Sequence, residues 1–341
     1  MRNPAAPTSA LPQYVGVLGG GRMGSGIAHA FLMAGCNVRV VESDAGAAAA
    51  ARSRVERAVE KSLARSGARM LAADGEQAAA LNPTARNPAT LNPATLNPST
   101  LNPAALDKTP PDVGALAGPG IMERFAVFTD VANFANCALV VEAVPEDRDL
   151  KVAALRRTEP YLAPTAVLAS NSSALSLTDL AAQLVRPAQF LGLHFFNPVP
   201  SSALVEIVRG QLTPDALVTT AQGWVAALGK TAVVVADSPG FASSRLGVAL
   251  ALEAMRMLQD EVASAEDIDA AMVLGYRHQT GPLRTTDLVG LDVRLDIAEH
   301  LAATLGPRFA APDILREKVA RGELGRKTGR GFFDWDADSP A

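Results

Sequence analysis

Residues 15–28, VGVLGGGRMGSGIA, contain the pattern that decides the predicted fold. An apolar β run from Tyr14 to Leu18 leads into a glycine-rich loop, and a helical pattern follows from Met23 to Ala34. A second short strand, Val38 to Val41, comes next and is ended by Glu42. Strand, glycine loop, helix and strand in this order predict a β-α-β unit of a parallel sheet.

The glycine loop has the spacing G-x-G-x-x-G that is typical of dinucleotide-binding proteins. Small residues there allow a tight turn and a close approach of the backbone to a pyrophosphate, which faces the helix N-terminus. The loop residues assigned to the cofactor are Gly19, Gly21, Arg22, Met23 and Gly24. Glu42 stands where the adenosine ribose diol is expected, and its carboxylate would repel a 2′-phosphate. The predicted cofactor is therefore NAD rather than NADP.

The bulk composition narrows the class of protein. A chain of 341 residues is long for one hydrophobic core and favours two domains. Apolar residues make up 48% and charged residues 19%, which is typical of a folded globular protein. The formal net charge of -4 argues against a nucleic-acid partner, and no apolar run is long enough for a membrane span. We predict a cytoplasmic protein with a disordered leader at 1–13.

The cysteines and histidines do not suggest a metal site. Cys36 and Cys137 lie at a helix end and a strand start, where small buried hydrophobic residues are expected. The four histidines lack the spacing of metal ligands, so no metal is predicted.

An insertion interrupts the alternating pattern of strands and helices. A helical stretch from Ala45 to Ala73 is followed at 81–106 by five Asn-Pro pairs, which recur at 82, 87, 92, 97 and 102. Proline at this period is incompatible with a continuous helix, so a solvated low-complexity insertion is predicted. A binding arm or a small solenoid of five-residue repeats is the alternative.

The remaining elements predict two domains. Strands are expected at 125–129, 139–144, 166–169, 190–195 and 204–208, with a helix from about Asp149 to Tyr161. Helical patterns dominate from Phe241 to Arg321, and Ser264 and Asp267 form a start like a capping box. The predicted class is α/β, with a Rossmann-type doubly wound sheet at 14–198 and an all-α domain at 199–335.

A second group of residues is suited to oxidising a hydroxyl group. Such a reaction needs a base for the hydroxyl proton and donors to the developing carbonyl oxygen. His194 ends a predicted strand, which is where open α/β sheets present their ligands. His29 and His300 lie within helical patterns, and His278 stands in a loop where a substrate contact is an open alternative.

Several motifs resemble the L-3-hydroxyacyl-CoA dehydrogenase family, also called 3-hydroxybutyryl-CoA dehydrogenases. Apart from the leader and the insertion, the resemblance covers nearly the whole chain. Besides 15–28, the matching strings are VEAVPED (141–147), SNSS (170–173), GLHFFNPVP (192–200), LVEIV (204–208), DSPGF (237–241), EDID (266–269) and LGRKTGRGFF (324–333).

The resemblance implies a role for particular residues. His194 would be the catalytic base, Glu206 would orient and charge it, and Ser173 would hydrogen-bond the reacting oxygen. A carboxylate bonded to one ring nitrogen of a histidine frees the other nitrogen to accept a proton, in agreement with this pairing. The positions matching contacts to the nicotinamide half of the cofactor are Glu146 and Lys151, with Asn171 as a further candidate.

This chain departs from the family in its substrate residues. Ser244 stands where the family has an asparagine that contributes to the substrate pocket, and Gln279 and Thr280 replace a Pro-Met pair. Arg65 and Arg69 are the best basic candidates for coenzyme A. The implied function is NAD-dependent oxidation of an (S)-3-hydroxyacyl-CoA, such as 3-hydroxybutyryl-CoA, to the 3-ketoacyl-CoA by a homodimer paired through its helical domain. A dehydrogenase of a free hydroxy acid, of the gulonate or lambda-crystallin type, and a catalytically silent NAD-binding protein are the alternatives.

Overall fold

A computed structural model describes residues 10–80 and 120–335 of the protein, and for residues 66–80 it describes the backbone. The Asn-Pro insertion predicted at 81–106 lies outside the described residues, as does the predicted leader up to residue 9. The described chain divides into two compact units. The first includes 10–80, 120–171, 183–207 and 212–234, and the second includes 172–182, 208–211 and 235–335.

An eight-stranded sheet organises the cofactor-binding half of the chain. Its strand order is β3-β2-β1-β4-β5-β6-β7-β8, and the described pairings from β3 through to β6 are parallel. The strands are β1 (Tyr14–Leu18), β2 (Asn37–Val41), β3 (Phe125–Phe128), β4 (Leu139–Glu142), β5 (Val167–Ser170), β6 (Phe190–Phe195), β7 (Leu204–Arg209) and β8 (Thr231–Ala236). The order reverses direction at β1, so its carboxyl end, next to that of β4, is the topological switch point where such sheets bind ligands.

The helices of this half follow the strands in the doubly wound manner. They are α1 (Arg22–Met33), α2 (Ala45–Ala80), α3 (Arg148–Thr158), α4 (Leu177–Ala181), which belongs to the second unit, and α5 (Asp215–Ala227). The core of the first unit includes side chains of β1, β2 and α1, among them Val17, Val40 and Phe31, which are almost fully buried. The strands carry few polar side chains because a parallel sheet buries both of its faces.

The predicted fold class is confirmed, with differences in individual elements. The sequence patterns located β6 at its observed bounds, and β3, β4, β5 and β7 within two residues at each end. Helix α2 is one helix that continues to Ala80, beyond the predicted end at Ala73. Strand β8 and helix α5 were not predicted, although Thr231–Ala236 reads TAVVVA, a short β-branched run. The sheet continues past residue 198 through β7 and β8.

The second unit is mainly helical and has its own core. Its long C-terminal part contains α6 (Ser243–Gln259), α7 (Ala265–Tyr276), α8 (Pro282–Val289), α9 (Leu291–Leu305) and α10 (Asp313–Ala320). The predicted capping start is present, because Ser264 Oγ accepts a hydrogen bond from the Asp267 amide at 3.1 Å. Buried Asp287 fixes the C-terminal segment by accepting hydrogen bonds from Phe333 N and Trp335 Nε1 at 2.9 and 2.8 Å.

Both cysteines are buried, as predicted. Cys36 is 3% exposed and Cys137 is 1% exposed. Burial raises the pKa of each thiol to about 11, because the thiolate is poorly solvated in an apolar environment. Within 10–80 and 120–335, no helix combines the length and the apolar character that crossing a bilayer requires.

Candidate active site

The glycine loop between β1 and α1 is shaped to receive a phosphate group. Gly19 has a φ of +91°, a conformation that favours glycine. A Cβ on Gly24 would lie 1.8 Å from the Gly19 carbonyl oxygen, so only glycine lets α1 begin so close to the strand. A Cβ on Gly21 would meet no atom within 4 Å, which leaves open space beside the first turn of α1, where backbone amides lack helical partners. The loop therefore fits the pyrophosphate of NAD.

Glu42 lies beside this loop at the end of β2. Its Oε1 accepts a hydrogen bond from the Gly20 amide at 2.6 Å, and its Oε2 accepts one from Ser43 N at 3.3 Å. Arg54, which the sequence patterns did not single out, donates to the Gly20 carbonyl oxygen at 3.0 Å. The carboxylate is thus held next to the phosphate-binding loop, as the recognition of a ribose diol requires.

His194 and Glu206 form a buried pair on neighbouring strands. His194 is the fifth residue of β6, and its Nδ1 lies 2.8 Å from Oε2 of Glu206 on β7. The two side chains are 7% and 1% exposed. The His194 ring also packs against Phe196, with ring centroids 4.4 Å apart. A carboxylate at Nδ1 fixes the tautomer, which makes Nε2 the nitrogen suited to accept a proton.

The loop that joins β6 to β7 is clamped from two sides. Lys230 Nζ donates to the carbonyl oxygens of Val199 and Ser202 at 2.7 and 2.5 Å. On the other side, a Cβ on Gly26 of α1 would lie 2.9 Å from Val199, so α1 packs tightly against the loop. Burial lowers the pKa of Lys230, since the ammonium group has lost water. The clamp restrains the connection between the two strands that carry His194 and Glu206.

A buried network that the sequence patterns missed surrounds Glu142 at the end of β4. Glu142 is 0% exposed, and its Oε1 accepts hydrogen bonds from Lys151 Nζ at 2.8 Å and from Val144 N at 2.7 Å. Its Oε2 accepts from Ser170 Oγ at 2.6 Å. Lys151, itself 1% exposed, also lies 3.3 Å from Glu146 Oε2. The structure thus brings together Lys151 and Glu146, the two positions predicted to contact the nicotinamide half of NAD.

Asn171 connects this network to the strand of His194. Its backbone N–H donates to the Glu142 carbonyl oxygen at 2.8 Å, and its side-chain Oδ1 accepts a hydrogen bond from Phe195 N at 2.8 Å. Phe195 directly follows His194 in β6. The carboxyl ends of β4, β5 and β6 are therefore tied together through polar contacts at the edge where a parallel sheet binds its ligands.

The other predicted site residues are distributed as follows. Ser173 and Ser244 belong to the second unit, where Ser244 is the second residue of α6. Arg65 is exposed on α2, and its Nε donates to the Lys61 carbonyl oxygen at 3.3 Å. Arg69 lies in the part of α2 where side chains are not described. Within the described part of the chain, no three histidine, cysteine or acidic residues are grouped to hold a metal ion.

Two family models together match most of the chain. The model for the 3-hydroxyacyl-CoA dehydrogenase NAD binding domain matches residues 14–91 and 115–238. The model for the 3-hydroxyacyl-CoA dehydrogenase C-terminal domain matches residues 240–335. Together they include the glycine loop, the His194–Glu206 pair and the helical unit.

Individual relatives agree with the family models. A 3-hydroxybutyryl-CoA dehydrogenase of Mycobacterium tuberculosis is 33% identical over 95% of this chain and 98% of its own length. A probable 3-hydroxybutyryl-CoA dehydrogenase of Deinococcus radiodurans is 40% identical over 63% of this chain and 78% of its own length. The crystal structure of (S)-3-hydroxybutyryl-CoA dehydrogenase from Ralstonia eutropha aligns with a TM-score of 0.76 at 31% identity, covering 96% of this chain and 100% of the other.

Proposed function

The chain belongs to the 3-hydroxyacyl-CoA dehydrogenase family, and from this premise we propose that it oxidises (S)-3-hydroxyacyl-CoA, such as 3-hydroxybutyryl-CoA, to 3-ketoacyl-CoA. It is an NAD-dependent oxidoreductase. The observation that carries the proposal is the buried His194–Glu206 pair at the carboxyl edge of a sheet whose switch point holds a phosphate-binding loop.

His194 is the base in this proposal. Its Nε2 takes the proton of the substrate hydroxyl, while Glu206 at Nδ1 stabilises the imidazolium that forms. NAD, when bound, accepts a hydride from the substrate carbon that carries this hydroxyl. Ser173 and Ser244 hold the reacting oxygen as it becomes a carbonyl. A base with a fixed tautomer is ready to accept the proton without reorientation.

The cofactor is assigned to the carboxyl edge of the sheet. The glycine loop, including Arg22 and Met23, holds the pyrophosphate next to the N-terminus of α1. Glu42 binds the adenosine ribose, and Glu146 and Lys151 contact the nicotinamide half, with Asn171 supporting them. The network around Glu142 supports this assignment because it holds Lys151 in one position.

The wider roles of the chain follow from the same family membership. In this proposal the NAD-binding domain begins at residue 14 and extends beyond the predicted boundary at 198 to include β7 and β8, and the helical segment that follows, up to residue 335, forms a substrate and dimerisation domain. Arg65 and Arg69 are assigned to coenzyme A.

We place the enzyme in fatty-acid β-oxidation in the cytoplasm, as a homodimer paired through the helical domain. Several large apolar side chains that are exposed in one protomer support the pairing, among them Leu246, Leu274 and Tyr276 at 71%, 80% and 74%.

The proposed reaction is tested by measuring NADH formation with (S)-3-hydroxyacyl-CoA substrates of four to sixteen carbons. We expect turnover with at least one CoA-linked substrate and a far lower kcat/KM with the matching free hydroxy acids. NADH binding without turnover of any acyl-CoA would contradict the proposal and favour a silent binding protein.

The proposed dimer is tested separately. Light scattering at micromolar concentration is expected to give twice the protomer mass.

Replacing Glu42 with alanine is expected to weaken the selectivity of the enzyme for NAD. The carboxylate beside the Gly20 amide would repel a 2′-phosphate, so its removal lifts that repulsion and also removes the ribose contact. We expect kcat/KM with NAD to fall by about 10-fold, the size of one lost hydrogen bond to a charged group, and the ratio of NAD to NADP efficiency to fall further. Asp44→Ala is the matched control, because the Asp44 carboxylate caps the start of α2 by accepting a hydrogen bond from Ala47 N. Equal selectivity in Glu42→Ala and in the parent would refute the assignment.

A further inference from the structure

Arg54 of helix α2 contacts the backbone of the glycine loop. Its Nη1 donates a hydrogen bond to the Gly20 carbonyl oxygen at 3.0 Å. Helix α2 packs closely against the loop one turn earlier, because a Cβ on Gly20 would lie 2.5 Å from the Cβ of Ala51. Ala51 and Arg54 are three residues apart and therefore lie on one face of the helix. The arginine is thus placed where it can act on the loop, although its side chain is exposed.

The backbone of Gly20 is held by two further side chains. Ser25 Oγ, in the first turn of α1, donates to the same carbonyl oxygen at 2.6 Å, and Ser25 is 5% exposed. The Gly20 amide donates to Glu42 Oε1 at 2.6 Å. Glycine has the largest conformational freedom of any residue, so these three hydrogen bonds fix a backbone that would otherwise be loosely restrained.

The geometry of the peptide bond passes this restraint on to Gly21. A peptide group is planar and trans, so the carbonyl of one residue and the N–H of the next point in opposite directions. Because Ser25 and Arg54 hold the Gly20 carbonyl, the Gly21 N–H points away from both side chains. It has no acceptor among the described residues, and a Cβ on Gly21 would meet no atom within 4 Å. This donor at the start of α1 is therefore available to an anion.

The positive charge of Arg54 strengthens the same donor. A hydrogen bond from an ionised group is stronger than one between neutral groups, and it polarises the carbonyl that accepts it. The Gly20 carbonyl and the Gly21 N–H belong to one peptide group, so polarisation of the first makes the second a better donor.

We propose that Arg54 is a positioning residue for the cofactor: by holding the Gly20 carbonyl together with Ser25, it aims the Gly21 amide at the pyrophosphate of NAD. The inference rests on the proposed function, which assigns the glycine loop to the pyrophosphate. Arg54 acts through the backbone and contacts neither the adenosine nor the nicotinamide in this arrangement. It therefore contributes to the affinity for the pyrophosphate and not to hydride transfer.

The proposal is tested by comparing ligands with and without a pyrophosphate. NADH fluorescence measures the Kd of NADH, and displacement of NADH measures the Kd of ADP-ribose and of adenosine. We expect Arg54→Met to raise the Kd of NADH and of ADP-ribose by about 10-fold, the size of one lost hydrogen bond to a charged group, and to leave adenosine within about twofold. KM for NAD should rise by a similar factor, while kcat at saturating NAD stays near the parental value.

Three further variants separate the contact from other effects of the arginine. Arg54→Lys keeps the charge and a donor, so it should recover part of the lost affinity. Ser25→Ala removes the second anchor of the carbonyl and should weaken NADH and ADP-ribose by about threefold, again without affecting adenosine. Arg57→Met is the matched control, because it removes the same charge from α2 and Arg57 donates to Ser53 Oγ within that helix. It should bind all three ligands as the parent does.

Unchanged binding of ADP-ribose by Arg54→Met would overturn the proposal. An equal loss of adenosine affinity would also overturn it, because the arginine would then act on the adenosine half or on the loop as a whole. The same loss in Arg57→Met would assign the effect to long-range charge, with the same consequence. Should Arg54→Met fail to fold, Ser25→Ala decides the question by the same comparison of ligands.

The same titrations separate this inference from the proposed function. A parent that binds ADP-ribose no more tightly than adenosine would refute the assignment of the glycine loop to the pyrophosphate, and the role of Arg54 with it. A parent that binds NADH but oxidises no acyl-CoA would refute the proposed reaction alone, since the binding data would still decide the role of Arg54.

Discussion

Replacing His194 with glutamine is expected to lower kcat for 3-hydroxybutyryl-CoA oxidation by about 100-fold to 10,000-fold, the usual contribution of a positioned base. Glutamine keeps a polar side chain beside Glu206, which is buried and 2.8 Å from the histidine ring, but it cannot accept the hydroxyl proton. Because the change lies in the proton-accepting group, KM for NAD should stay near the parental value. Steady-state NADH formation at saturating cofactor measures both quantities.

The control for this experiment is His300→Gln, since His300 lies on α9 in the helical unit and has no assigned role. It should retain the parental kcat. The deuterium isotope effect on kcat adds a second measurement, with the label on the substrate carbon that gives up the hydride. Slower proton removal changes how far hydride transfer limits the rate, so this isotope effect should differ from that of the parent. A His194→Gln enzyme that works at the parental rate would show that another group is the base.

Replacing Glu142 with alanine is expected to reduce the free energy of unfolding by about 3 to 5 kcal/mol, which is typical when one partner of a buried ion pair is lost. Lys151, which is 1% exposed in the parent, would lose the closer of its two carboxylates and keep only Glu146 at 3.3 Å, and Ser170 and Val144 would lose an acceptor. Urea unfolding followed by circular dichroism measures the change.

Two further variants interpret the result. The double variant Glu142→Ala/Lys151→Met removes both charges and should recover part of the lost stability, because the buried cation that had lost its closer carboxylate is gone. Glu299→Ala removes a half-exposed ion pair with Arg316 and should change stability by less than about 1 kcal/mol. An equally small effect of Glu142→Ala would mean that water or another group replaces the carboxylate.

The fold was predictable because its main signals are local. The glycine loop, the alternation of apolar runs and helical segments, and Ser264 as a helix cap are all patterns within a few residues. Strand β8 has a comparable signal in Thr231–Ala236. It was not predicted, because it lies after the predicted domain boundary near residue 198, in a region assigned to helices. The lesson is that an apolar β-branched run deserves a strand prediction even inside a region assigned to helices.

The site was predictable only where a motif carried it. His194 was singled out by its position at the end of a predicted strand, and the matching strings paired it with Glu206; their contact is present, and their catalytic roles are proposals. Glu142 had a local hint, since it interrupts an apolar run, yet its partners Lys151 and Ser170 lie in other elements, 9 and 28 residues further along the chain. The burial of Arg294 had no local signal, because an arginine in a helix is usually solvated.

The two buried thiols make this protein convenient for site-specific labelling. With a pKa of about 11, only about one in 10,000 of either cysteine is thiolate at pH 7, and the thiolate is the form that maleimides attack. A cysteine introduced on an exposed helix face should therefore react far ahead of Cys36 and Cys137. Fluorophores or spin probes can be attached to such a single-cysteine variant without first replacing Cys36 and Cys137.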